Sequence, residues 1–107
     1  MSPQFVYAYY NRANVRCAQR DFRAALADYN EAIRLRPDFS DAYFNRGLVY
    51  VFLGETQKGI ADLSKAGELG IVSAYNVIKR LGFGQCNKTP LRQDLIIISK
   101  VYLLTFR

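Results

Sequence analysis

Apolar residues recur along the first part of the chain at the three- and four-residue spacing of an amphipathic helix. One apolar stripe covers residues 5–17 and stops at the polar stretch AQRD. A second stripe covers residues 22–33 and ends before Pro37, a residue that cannot continue a helix. Asp21 precedes the second stripe and is a suitable N-cap residue. The pattern therefore predicts two helices joined by a short turn.

The same pattern returns 34 residues later. Within residues 6–39, nine residues are identical to their counterparts in the second copy, and most fall at helical intervals. The nine are Ala8, Tyr9, Asn11, Arg12, Val15, Ala27, Asp28, Ala32 and Leu35. In the second copy, Asp41 lies where it can serve the first turn of the opening helix, and LGE after Phe52 supplies a turn. A single helical hairpin cannot cover its own apolar face, so the two copies are predicted to stack side by side.

The period and its motifs resemble the tetratricopeptide repeat, TPR. The segments YNRA and FNRG are similar to those of the bacterial branch of that family. The motifs are Tyr9-x-x-x-Ala13, Ala25-x-x-x-Tyr29-x-x-Ala32 and the closing Pro37. The resemblance implies an all-α solenoid of helical hairpins over residues 1–81. Within it, repeat one covers about 6–39, repeat two about 40–71 and a capping helix about 72–81.

Three positions depart from the family pattern. Arg16 replaces a large apolar residue, Arg20 replaces a favoured glycine, and Ile71 replaces the closing proline of repeat two. The join AGELGIVSAYN is also two residues shorter than the 34-residue period requires. The third start, SAYNVIKRL, is therefore predicted to be a single terminal helix that caps the stack.

The resemblance implies that the first helix of each repeat lines a concave groove for a protein or peptide partner. The predicted groove residues are Tyr10, Asn14, Cys17, Phe44, Asn45, Leu48, Val51 and Arg80. Aromatic anchors beside a few hydrogen-bonding groups suit a helical or extended peptide. In the subclass that clamps chaperone C-termini, Asn14 and Asn45 would match the asparagines. The cation positions hold Tyr10, Ser73 and Val77, so that particular function is not expected.

Arginine and aspartate recur together, as Arg12 with Asp28 and as Arg46 with Asp62. An arginine on the groove side could bind a ligand carboxylate. The alternative, which the joint recurrence favours, is that each arginine pairs with an aspartate within a hairpin or between neighbouring hairpins.

Most of the net charge of +6 comes from the C-terminal third of the chain. Residues 1–71 carry nine basic and eight acidic side chains, whereas residues 72–107 carry six basic ones against Asp94. The alternative function is therefore binding of nucleic acid or another anionic surface through the basic C-terminal third, and we rank it below protein binding. An enzyme is not predicted, because the chain has no histidine and its two cysteines belong to no metal motif. No cofactor or metal is expected.

Residues 82–107 form an apolar, basic extension. Thr89-Pro90 resembles a helix start, but the β-branched run at residues 96–98 is also compatible with a strand. A third alternative is that the segment is an artefact of truncation. Residues 91–106 are apolar on two faces, which suggests self-association as a homodimer. The apolar runs are too short to span a bilayer, and no signal peptide is evident. A cytoplasmic location is the expectation.

Overall fold

A computed structural model of the protein describes residues 3–81, which form five α-helices. They are α1 (Pro3–Ala18), α2 (Phe22–Leu35), α3 (Ser40–Phe52), α4 (Thr56–Glu68) and α5 (Ser73–Arg80). The predicted all-α fold is confirmed over this part of the chain. None of these five helices is long and apolar enough to cross a membrane. The predictions for residues 82–107, including the homodimer through 91–106, lie outside the described residues.

The helices pack as two hairpins followed by a single helix. α1 packs on α2 and α3 on α4, while α2 meets α3 at the junction and α5 packs on α4. One apolar core joins the first hairpin to α3, where Ala42 and Val49 lie among residues of α1 and α2. A second core joins α3 and α4 to α5 through Ala74, Val77 and Ile78. Each core thus joins neighbouring units of the stack.

The turns of the two hairpins have the same hydrogen bonds, 34 residues apart. The backbone N–H of Arg20 donates to the Cys17 carbonyl oxygen at 2.9 Å, and that of Gly54 donates to the Val51 oxygen at 3.0 Å. Both turn residues have positive φ, 61° at Arg20 and 84° at Gly54. The Asp21 side chain accepts from the Ala24 N–H at 3.4 Å, which confirms the predicted N-cap.

Helices α3 and α4 approach closely where two glycines face each other. A Cβ atom on Gly59 would lie 2.8 Å from the carbonyl oxygen of Gly47 and 2.6 Å from Cγ2 of Val51. Both distances are shorter than real Cβ contacts allow. The close approach of α3 and α4 therefore depends on having glycine, which has no side chain, at positions 47 and 59.

Candidate functional site: the face shared by α1 and α3

A polar network lies at the junction of the two hairpins. The Nδ2 atom of Asn45, which is only 1% exposed, donates to the Tyr10 hydroxyl and to Oδ1 of Asn14, each at 3.0 Å. The Tyr29 hydroxyl donates to the same Asn14 oxygen and lies 3.6 Å from Sγ of Cys17. These contacts tie α1, α2 and α3 together. They also fix the orientations of Tyr10 and Asn14.

The ionisable members of this network are held in their neutral forms. Burial raises the pKa of the Cys17 thiol to about 11, and its hydrogen bond with Tyr29 offsets only part of that rise. Burial also raises the pKa of Tyr10 and of Tyr29. A buried thiol without a base nearby is a packing group rather than a nucleophile. The buried members of this network therefore act as packing and hydrogen-bonding groups.

The eight predicted groove residues differ in how much surface they offer. Cys17, Asn45, Leu48 and Val51 are buried, Tyr10, Asn14 and Phe44 are half-buried, and Arg80 on α5 is exposed. Leu48 and Val51 are covered because they pack in one core with apolar side chains of α5. The four buried side chains leave a partner almost nothing to contact, so the accessible part of the face belongs to the other residues.

Sequence reasoning missed an exposed part of this face around Tyr7. Tyr7 is 48% exposed, and its ring meets the ring of buried Phe39 edge-on with centroids 5.6 Å apart. Nη1 of Arg36 donates to the Tyr7 hydroxyl at 3.2 Å, and its guanidinium carbon lies 5.0 Å from the centre of the Phe39 ring. The signal in the sequence was the helical spacing, since Tyr7, Tyr10 and Asn14 share one side of α1.

We call Tyr7, Tyr10, Asn14 and Phe44 the groove face. Tyr10 packs on Phe39 with ring centroids 4.7 Å apart. Phe44 is the neighbour of Asn45 in α3 and is half-buried against the second core. A positive and a negative side chain lie beside this face. Arg36 donates to the Tyr7 hydroxyl, and the negative charge of exposed Asp41 contributes to the raised pKa of Tyr10. The groove face can therefore offer aromatic contacts together with polar and charged ones.

The repeated arginines and aspartates pair within each hairpin, as predicted. Arg12 bonds to Asp28 through Nε at 2.9 Å and Nη2 at 2.7 Å. Arg46 bonds to Asp62 through the same two atoms at 2.7 and 2.8 Å. Asp28 and Asp62 are buried. Both pairs are bidentate, a geometry that adds specificity as well as strength.

Comparison with known families and proteins agrees with this architecture. A TPR repeat family model matches residues 13–54, and a tetratricopeptide repeat model matches residues 40–69. Together the two matches run across the turn of the first hairpin, the junction and the second hairpin. The chain belongs to the tetratricopeptide repeat family, whose repeats are protein–protein interaction modules.

Two curated proteins are similar to this chain over part of their length. The UDP-N-acetylglucosamine–peptide N-acetylglucosaminyltransferase of Giardia intestinalis is 36% identical over 67 residues, which are 63% of this chain and 4% of that protein. Protein FlbA of Caulobacter vibrioides is 32% identical over 65 residues, 61% of this chain and 11% of that protein. The chain thus matches only a small part of each relative. No solved structure gives a significant match.

Proposed function

We propose that the groove face binds a short segment of a protein partner, in extended or helical form. The observation that carries this proposal is the position of Tyr7, a residue that is 48% exposed although its ring packs edge-on against Phe39. Aromatic side chains that are held in place contribute contact area at a low entropic cost and are common anchors at interfaces.

The hydrogen bonds of Asn14 define what a partner would have to offer. Its Oδ1 atom already accepts from the Tyr29 hydroxyl and from Nδ2 of Asn45. The Nδ2 group of this half-buried side chain carries two hydrogens, and a hydrogen bond from Asn14 opposes the rise in the pKa of Tyr10, so one hydrogen can serve Tyr10 while the other could face a partner. A main-chain carbonyl of an extended segment, or the C-terminal carbonyl of a helix, supplies a matching acceptor. We expect apolar side chains on either side of that acceptor to rest on Tyr10 and Phe44.

The experiment is a selection of peptides from a displayed random 12-residue library on the full-length protein. Each selected peptide is then titrated by isothermal calorimetry against the Tyr7→Ala, Phe44→Ala and Tyr75→Ala variants. Tyr75 is the matched control, because it is 47% exposed but lies on α5. We expect the first two substitutions to weaken binding about tenfold or more, as for anchor residues, and the control to leave it unchanged.

A salt series separates this function from binding through the basic C-terminal third. Contacts on the groove face are mainly apolar, and salt screens interactions between charges. The affinity should therefore change little between about 50 and 300 mM salt. The affinity of a phosphate-binding surface falls steeply over such a range. Peptides that bind equally well to all three variants, or tight nucleic-acid binding that survives them, would overturn the proposal.

A further inference from the structure

The side of α1 that faces away from the groove carries a second exposed surface. Phe5, Ala8, Tyr9 and Arg12 line a shallow groove there of about 240 Å³, and we call these four residues the outer edge. Phe5 is 60% exposed and the Arg12 side chain 55%. At 100° of rotation per residue, these positions lie about half a turn around α1 from Tyr7, Tyr10 and Asn14. The two surfaces are therefore separate.

The same four residue types recur 34 residues later, where they are covered. The equivalent positions are Phe39, which is the N-cap residue of α3, and Ala42, Tyr43 and Arg46 within that helix. Phe39 is 4% exposed, Ala42 is fully buried, and the Arg46 side chain is 18% exposed. The cover is the preceding hairpin, since Phe39 and Ala42 lie in the core that α1 and α2 form. The outer edge thus has the composition of a surface that accepts a helical hairpin.

The covering hairpin also supplies a polar partner for the arginine. Nη1 of Arg46 donates to Oδ1 of Asn30 on α2 at 2.9 Å, in addition to the two bonds with Asp62. Arg12 uses its Nε and Nη2 atoms for Asp28, which leaves Nη1 pointing away from that bidentate pair. If a partner covered the outer edge as α2 covers α3, an acceptor at the position of Asn30 would accept from Nη1 of Arg12.

The charge of the outer edge favours an acidic acceptor. Asp28 pairs with two arginines, Arg12 at 2.7 Å and Arg16 at 3.1 Å, so one positive charge is left over. The position equivalent to Arg16 in the second hairpin is Tyr50, which is uncharged, so Arg46 and Asp62 balance. The terminal helix of a second copy is a poor occupant, because α5 carries Lys79 and Arg80 and no acidic residue.

We infer that the outer edge docks a helical hairpin of a partner protein, one that carries a carboxylate where α2 carries Asn30. The partner hairpin covers Phe5 and Ala8 with apolar side chains, and its carboxylate accepts from Arg12. This interaction uses the opposite side of α1 from the groove face. The proposal for the outer edge and the proposal for the groove face can therefore be tested independently, and either can be wrong while the other holds.

The test uses a synthetic probe with the sequence of residues 3–36 and the change Asn30→Asp, with its two helices covalently cross-linked and their helicity checked by circular dichroism, because a single hairpin cannot cover its own apolar face. This probe reproduces the hairpin that covers the equivalent surface inside the protein, with the proposed carboxylate added. It is titrated to millimolar concentration into the isotope-labelled full-length protein, and the backbone amide resonances are followed by NMR. We expect the largest changes at Phe5, Ala8, Tyr9 and Arg12.

Matched variants separate docking on the outer edge from adventitious association. Ala8→Arg should abolish the changes, whereas Ala18→Arg, at an exposed alanine near the end of the same helix, should leave them intact. Arg12→Met should weaken the probe about tenfold, as expected for the loss of a charge-assisted hydrogen bond. A probe with Asn30→Leu, which leaves the protein itself unaltered, should be weakened similarly.

Three outcomes would overturn the inference. They are resonance changes confined to the groove face, equal responses of the Ala8→Arg and Ala18→Arg variants, and no saturable change at millimolar probe. Circular dichroism of each variant shows that the fold persists, and Arg12→Lys serves in place of Arg12→Met if the latter unfolds. Arg12→Lys keeps the charge but loses the forked geometry, so it too should weaken the probe.

Discussion

Arg46 and Arg12 occupy the same position in the two hairpins and make the same two bonds to an aspartate, yet their surroundings differ. The Arg46 side chain is 18% exposed and lies 5.5 Å from the ring centre of Tyr43 and 5.9 Å from that of Tyr50. Arg12 is 55% exposed and approaches one ring, that of Tyr9, at 5.6 Å. The preceding hairpin covers the second pair and nothing equivalent within residues 3–81 covers the first.

The two aspartates also differ in how many partners they have. Asp28 is paired with both Arg12 and Arg16, so it keeps a cation if one arginine is lost. Asp62 forms a salt bridge with Arg46, and the residue equivalent to Arg16 there is Tyr50. Repetition of a sequence motif therefore does not repeat its energetic contribution. What each copy contributes depends on which neighbours cover it and whether a second partner exists.

The largest expected effect is the difference between Arg46→Met and Arg12→Met. Arg46→Met leaves the buried carboxylate of Asp62 without its cation, which should lower the free energy of unfolding by about 3–5 kcal/mol. Arg12→Met should cost clearly less, because Arg16 remains on Asp28. Urea denaturation followed by circular dichroism measures both. Equal losses would mean that burial and the second arginine make no difference.

A double-mutant cycle sharpens this comparison. Adding Asp62→Leu to Arg46→Met removes the uncompensated charge and should recover part of the lost stability, as apolar replacement of a buried ion pair often does. The corresponding Asp28→Leu change in an Arg12→Met background should recover less, because it leaves Arg16 without its partner. Strict additivity in the Arg46–Asp62 cycle would contradict the contact between them.

The second prediction concerns the equivalent asparagines Asn45 and Asn11. Asn45→Ala removes one donor to the Tyr10 hydroxyl and one of the two donors to Oδ1 of Asn14, so we expect a loss of about 1–3 kcal/mol from the weakened buried network. Asn11 is exposed, and Asn11→Ala should change stability by no more than about 0.5 kcal/mol. Thermal melting of both variants is the measurement. A similar decrease in melting temperature for both would show that the network does not stabilise the junction.

Much of the fold could be predicted from the sequence because it depends on local rules. Helical spacing, the Asp21 cap and the 34-residue period define the helices, and the joint recurrence of arginine and aspartate predicted the pairs found here. Apart from the 34-residue period, each of these signals involves residues within one hairpin. The arrangement of the repeats followed from the same apolar stripes.

The accessible surface could not be predicted in the same way, because it depends on contacts between hairpins. Leu48 and Val51 have the spacing of groove residues, but α5 packs against them and removes them from the surface. Asn45 is buried because Tyr10 and Asn14 of the other hairpin are its partners. Tyr7 remains exposed although it shares a helix face with Tyr10. No single repeat contains the information that decides these cases.

The third prediction exchanges the small residues at the two helix crossings. Gly59→Ala should destabilise by about 1–2 kcal/mol, since its methyl group would lie 2.6 Å from Val51 and the gain in helix propensity offsets only part of that strain. The equivalent residue of the first hairpin is Ala25, which is fully buried. Ala25→Gly should cost about 1 kcal/mol through lower helix propensity. If Gly59→Ala stabilised the protein in urea denaturation, the close approach of α3 and α4 would not restrict this position.

The smallest expected effect is at the turns, where Arg20 and Gly54 are equivalent. Arg20 has a φ of 61°, in the left-handed region that costs a side-chain-bearing residue about 1–2 kcal/mol. Arg20→Gly removes that strain but increases the freedom of the unfolded chain, which costs about 0.5–1 kcal/mol. The net result should be a stabilisation of about 0.5 kcal/mol, measured as a higher urea midpoint with an unchanged slope. Arg20→Ala is the control, because it removes the same side chain but keeps the Cβ atom and hence the strain. If Arg20→Ala raised the midpoint as much as Arg20→Gly, the gain would come from losing the arginine and not from relief of the turn.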